Sequence, residues 1–159
     1  PIYSKDRLEY KNGTLFENVD IAKFLSEKTG VEQRRIGTVL DVCHSRSTIT
    51  MLQRMLRGVD TKIPEEWEYY QRNKELIKEI HLANVINTGL NKGEHGIAYK
   101  DSERDKMYEE LTYYKRAGYT CDITIEVREA DYINNKVNFA NNSKMLRGIC
   151  EELNIPIEE

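Results

Sequence analysis

The residues able to do chemistry in this chain are few and scattered. His44, His81 and His95 are the only histidines, and Cys43, Cys121 and Cys150 the only cysteines. A zinc site built from local sequence needs paired ligands a few residues apart, and no such pairing exists; Cys43 and His44 are adjacent, which points their side chains apart. The spacing therefore predicts no metal and no cofactor. His81 lies beside an apolar helical face and reads as a core-edge residue whose ring nitrogen is satisfied internally. Cys43 falls on an apolar stripe, where a thiol is a packing group rather than the nucleophile of a pair with a remote histidine. Asp122 and Glu126 put two carboxylates on one alternating segment, an arrangement able to hold a divalent ion. Arg128 then stands where a lysine would assist, and arginine does not release its proton at neutral pH. Alternation alone accounts for every residue there. The phosphate loop GxxxxGK[ST] and the GxSxG and HExxH motifs are absent. The chain reads as non-catalytic.

The elements that must carry these residues follow from periodicity and turn chemistry. Asn12-Gly13 suits a two-residue type I′ turn and predicts a β-hairpin at about 7–17, with Leu8, Tyr10, Leu15 and Phe16 needing cover. Asp20 can cap a helix through IAKFLSEKTG, striped by Ile21, Phe24 and Leu25 and stopped at Gly30. A second helical pattern starts at Glu32 through Ile36, Val39, Leu40 and Cys43. It resumes after a polar run at Ile49, Leu52, Met55 and Leu56, so residues 32–57 form one helix or two. Pro64 opens a further helical pattern carrying Trp67, Tyr70, Leu76, Ile77, Ile80 and Ala83. NTGLNKGEHG is a loop, and 101–118 a helix lined by Met107, Leu111 and Tyr114 with Gly118 as its stop. Cys121, Ile123, Ile125 and Val127 then alternate with polar residues as a half-buried strand, with Ile97 and Tyr99 as a possible partner strand. Met145, Leu146, Ile149 and Leu153 mark a last helix before Pro156. The fold class is α+β, mostly α: an N-terminal β-hairpin, a helical middle, and a small sheet plus helices in the C-terminal half. One domain spans 1–159, with a possible division into 1–87 and 96–159 about a loop at 88–95.

Composition bounds the function classes. With 159 residues, 39% hydrophobic and 32% charged, the chain can bury one core and is not a disordered segment. A net charge of −3 argues against a general polyanion binder. Three cysteines at long spacings fit reduced thiols, no apolar run is long enough to span a membrane, and the first ten residues lack a signal-peptide core. A cytoplasmic location is expected. Pro1 is what methionine removal before a small residue leaves, so a native start is expected. The abundance of Lys, Glu, Asn, Ile and Tyr suggests an AT-rich genome, bacterial or phage.

Charge is unevenly spread, however. Residues 32–57 hold five arginines against Glu32 and Asp41, the sign that phosphate contact requires. Within them, Cys43-His44-Ser45-Arg46-Ser47-Thr48-Ile49-Thr50-Met51-Leu52 resembles the turn and recognition helix of bacterial helix-turn-helix proteins, over about Arg35 to Leu56. Val39 and Cys43 stand where that family usually has alanine and glycine. The resemblance implies a dimeric, non-catalytic DNA-binding protein, regulatory or a phage or mobile-element accessory factor. Arg46, Ser47, Thr48 and Thr50 would lie nearest the bases, and Arg34, Arg35, Arg54 and Arg57 on phosphates. DIAKFLSEKTG followed by a long helix also looks like the opening of the HU and integration-host-factor proteins, without their basic β-arms, and assigns no site. The alternative is a protein-binding or structural component, phage accessory or virion, using tyrosine-rich helices: ten tyrosines include the pairs Tyr69-Tyr70 and Tyr113-Tyr114. The third reading is a metal-dependent nuclease, whose acidic strand Asp122, Glu126 and Arg128 resemble. Partners are then DNA, a protein or a second copy, with no membrane.

Overall fold

The computed structural model describes residues 15–44, 46, 74–86 and 94–157, and everything below refers to these. The protein is mixed α+β, mostly α with a small sheet. Helix α1 runs Leu15–Thr29, followed by a 3-10 turn at Gln33–Arg35. Strands β1 (Thr38–Asp41) and β2 (Ile77–Leu82) precede a two-stranded antiparallel ribbon of β3 (Asn84–Ile86) and β4 (Glu94–Ile97). Helix α2 (Arg104–Arg116), strand β5 (Asp122–Ile125) and helix α3 (Val137–Leu153) complete the order. The main sheet is β1-β2-β5, parallel throughout.

Its register sorts side chains onto two faces. Leu40 lies beside Ile80, and Ile80 beside Ile123; Asp41 lies beside His81, and His81 beside Thr124. Since neighbouring strand residues point alternately to opposite faces, Leu40, Ile80, Leu82 and Ile125 line one side and Asp41, His81, Glu79 and Thr124 the other. The first side is covered. Leu40, Ile80 and Leu82 join Met107, Leu111 and Tyr114 of α2 and Ile149 and Cys150 of α3 in one buried cluster. Asn142 ties α3 to the chain entering α2: its Oδ1 accepts from the Tyr99 amide at 2.8 Å and its Nδ2 donates to the Tyr99 carbonyl at 3.1 Å. The second side is polar and half-open, with Val39 40% exposed.

Several expected elements are replaced. The helix expected from Glu32 through Cys43 is a 3-10 turn followed by β1. Ile36, Val39, Leu40 and Cys43 satisfy a helical period, but Thr38-Val39-Leu40 is equally an alternating run beginning with two β-branched residues, and pairing with β2 decides between them. A helical turn begins only at Val42. The first helix of the expected helix-turn-helix unit is thus a strand over Thr38–Asp41. The helical pattern expected to reach Ala83 ends in β2, where Ile77, Ile80 and Leu82 are buried in the sheet.

The second arm of the N-terminal hairpin is also corrected: Leu15 and Phe16 belong to α1, whose buried residues Val19 and Ala22 are not the Ile21, Phe24 and Leu25 stripe. Asp20 sits inside that helix rather than capping it. Gly30, at φ +70°, ends it as expected, its amide donating to the Ser26 carbonyl. The turn at Asn12-Gly13 lies outside the described residues, as do Trp67, Tyr69 and Tyr70. The loop expected at 88–95 gives way to β4 at Glu94, which pairs with β3, while Tyr99 belongs to no strand. The helices at 104–116 and 137–153 bury Met107, Leu111, Tyr114 and Ile149, as their periodicity predicts. No helix among the described residues is long and apolar enough to cross a membrane.

Candidate metal centre

All three strands of the parallel sheet deliver an ionisable side chain to the same edge. Asp41 is the last residue of β1, His81 the penultimate residue of β2, and Glu126 follows β5, its amide donating to the Leu82 carbonyl at 3.1 Å. One ligand atom from each of Asp41, His81 and Glu126 lies within 4.8 Å of the other two. This is the carboxyl end of the strands, where open parallel sheets hold their ligands. His81 Nδ1 is 2.9 Å from Glu126 Oε2. Bonds of about 2.1 Å at angles near 90–110° would set ligand atoms roughly 3.0–3.4 Å apart, close to that separation.

The surrounding residues orient these three. Behind His81, its Nε2 is 3.4 Å from Glu79 Oε1, and the Thr124 hydroxyl donates to the same oxygen at 2.6 Å. Glu79 and His81 are two apart on β2 and Thr124 is the register partner of His81, so one sheet face builds the chain Thr124–Glu79–His81. Asp41 is held from the other side. Its Oδ1 accepts from the His44 amide at 3.0 Å and the Cys43 thiol at 3.1 Å, and its Oδ2 lies 2.5 Å from His44 Nδ1. Burial pushes the Asp41 carboxyl up, but the hydrogen bonds from His44 and Cys43 outweigh it and lower the pKa to about 2, so the group is a carboxylate at neutral pH. Oδ1 thus has both lone pairs engaged, and Oδ2 keeps one for a cation. Asp41, Cys43 and His44 form a second close group. Burial first, then the Asp41 charge, push the Cys43 thiol up to about 12, so Cys43 is neither a ready ligand nor a nucleophile.

A separate buried network lies at α2. Glu110, 5% exposed, accepts from the Tyr99 hydroxyl at 2.9 Å and the Tyr114 hydroxyl at 3.1 Å, and Arg46 approaches its Oε1 at 2.9 Å. Burial raises the Glu110 pKa while the Arg46 guanidinium opposes the rise. Arg46, expected nearest the bases of DNA, thereby reaches into the protein with its guanidinium on a buried carboxylate. Arg34, expected on phosphate, pairs with Glu32 on the surface, and Arg35 ends the same exposed turn. Ser47, Thr48, Thr50, Arg54 and Arg57 lie outside the described residues. Of the tyrosine pair on α2, Tyr114 is in the core and Tyr113 packs half-buried against it, their rings edge to face at 5.9 Å.

Asp122 and Glu126 do not act together. They sit at opposite ends of one short strand, about 13 Å apart along it, too far to share an ion. Glu126 instead meets Asp41 and His81. His81, expected as a core-edge residue, is half-buried, with a carboxylate near each ring nitrogen. In the sequence Asp41 stands out only as a charge within 32–57. What the sequence did hold was a carboxylate or histidine near the end of each of three β-rich runs, a signal legible only once those runs are recognised as parallel strands. No protein family, curated protein or solved structure matches this chain.

Proposed function

We propose that the protein is a metal-dependent enzyme acting on a small-molecule substrate, with Asp41, His81 and Glu126 as ligands of one divalent cation. The observation that carries this reading is the convergence of three ligand side chains, from three different parallel strands, at the carboxyl edge of one sheet. Two carboxylates and one imidazole suit a borderline or hard divalent ion such as zinc or manganese. Structural zinc sites are closed by four protein ligands, whereas three leave a position for water or substrate. A cation so placed polarises a bound oxygen or lowers the pKa of a bound water, the two uses of an open metal site in hydrolytic and carbonyl chemistry. The ion pairing of Arg46 with Glu110, and the strand standing where the first helix of a DNA-reading pair was expected, favour this reading over helix-turn-helix DNA binding.

Calorimetric titration of the metal-stripped protein with Mn²⁺ and Zn²⁺ tests the proposal. One site per chain is expected, lost in His81→Ala and weakened in Asp41→Asn and Glu126→Gln, with circular dichroism showing each variant folded. Metal binding unchanged by His81→Ala would overturn it. A parallel titration with duplex DNA separates the competing reading: salt-sensitive binding that Arg34→Ala/Arg35→Ala weakens would return the assignment to nucleic acid.

A further inference from the structure

A cavity of about 510 Å³ opens beside Glu126, within the size range of small-molecule sites. Its wall combines two cations, Arg128 and Lys136, with two aromatic rings, Tyr132 and Phe139. We propose that this cavity is the substrate subsite of the metal centre and takes a small organic anion, with a phosphate or carboxylate group held by Arg128 and Lys136 and an apolar body lying against Tyr132 and Phe139. The inference rests on the metal reading above, because the metal sets the charge balance.

Without a cation, the carboxylates of Glu126 and Glu129 stand on the same wall as Arg128 and Lys136 and disfavour an anion. Glu129 is already engaged, its Oε1 accepting from the Phe139 amide in the first turn of α3 at 2.5 Å. A divalent ion on Asp41, His81 and Glu126 neutralises the two carboxylates that ligate it. With Glu126 so neutralised, one of the two carboxylates on the cavity wall no longer repels an anion. Anion binding is thus coupled to metal binding, metal first.

The backbone fixes the cationic wall. The Arg128 amide donates to the Gly96 carbonyl at 2.7 Å, and the Arg128 carbonyl accepts from Asn138 Nδ2 at 2.8 Å, so the residue is clamped between β4 and α3. Gly96 is at φ +68°, and a Cβ there would stand 3.4 Å from Arg128 Cγ and 3.6 Å from its Nε. A Cβ at those distances would only touch the Arg128 stem, so it is the left-handed backbone that favours glycine at this position. Tyr132 is 60% exposed and Phe139 46%, an unusual exposure for aromatic rings beside a cavity and suited to covering a ligand's apolar portion.

The test uses the full chain, first titrated with Mn²⁺ and then, Mn²⁺-loaded, with phenyl phosphate, benzoate and inorganic phosphate by calorimetry. Phenyl phosphate or benzoate is expected to bind the loaded protein and to bind the metal-free protein at least tenfold more weakly; whichever of the two binds identifies the oxyanion. Lys136→Gln should weaken the anion by about tenfold while leaving the Mn²⁺ affinity unchanged. Phe139→Ala should erase the preference for the aromatic anion over inorganic phosphate. Absence of Mn²⁺ binding would sink the metal centre and this proposal together. Normal Mn²⁺ binding with no anion binding at millimolar concentration, or with anion binding indifferent to Lys136→Gln, would overturn this proposal alone.

Discussion

Glu79 does not touch the proposed cation, yet its replacement should cost metal affinity. If His81 Nδ1 is a ligand it must be unprotonated, so Nε2 carries the ring hydrogen and faces Glu79 Oε1 at 3.4 Å. That carboxylate is in turn fixed by the Thr124 hydroxyl at 2.6 Å. A carboxylate behind the ring selects its tautomer and holds its orientation, and removing such a partner costs about 10–100-fold in metal affinity. That range is about 1.4–2.7 kcal/mol. The assay is thermal melting with and without Mn²⁺. At a metal concentration of about 100 times Kd the wild-type protein gains about 2.7 kcal/mol, a melting-temperature rise of roughly 5–11 °C for a chain of this size. At the same concentration a tenfold weaker Glu79→Gln variant gains about 1.4 kcal/mol, or roughly 3–6 °C. The metal-free melting temperatures should nearly coincide, since Glu79 is half-buried on the open face of the sheet. A Glu79→Gln protein with the wild-type metal-induced shift would refute the reasoning, and so would one whose metal-free form melts lower by the whole difference.

Glu110→Ala should destabilise the fold by about 3 kcal/mol or more, because it removes the acceptor of the Tyr99 and Tyr114 hydroxyls and the buried partner of Arg46; urea unfolding checks this, and a loss under about 1 kcal/mol would contradict the network's role. Asp41 has a folded-state pKa lowered to about 2, so its contribution is present above the ordinary carboxylate range and lost as pH falls towards 2. Asp41→Asn should therefore cost about 2 kcal/mol near neutrality and progressively less in acid, read from denaturant midpoints at pH 7, 5 and 3 in metal-free buffer. With its thiol pushed up to about 12 and buried, Cys43 should resist iodoacetamide at pH 8 until the protein unfolds. Mass-spectrometric detection of native-state alkylation at Cys43 would show the thiol to be more acidic than its surroundings imply.

The amino-acid sequence by itself determined the elements whose local signals agree. Met107, Leu111 and Tyr114 repeat at helical spacing with basic residues near the end, and nothing competes with a helix there. Cys121 to Arg128 alternate strictly, and a strand results. Gly30 stops α1 because the left-handed conformation is open to it without a Cβ clash. Where signals conflicted, tertiary structure decided. Thr38-Val39-Leu40-Asp41 and Ile77-Lys78-Glu79-Ile80-His81-Leu82 fit a helical stripe as well as a strand, and hydrogen bonding of one to the other, with burial of Leu40 and Ile80 beneath α2 and α3, made both into strands. The same step created the candidate site. Asp41, His81 and Glu126 are forty or more positions apart in the chain, so no rule of local ligand spacing could join them. Parallel pairing in register aligns strand ends that sequence separation hides, bringing those three side chains to one edge and turning Arg46 inward to Glu110. Local periodicity is a property of neighbouring residues, whereas which strand ends meet is set by pairing between distant segments and the burial that rewards it.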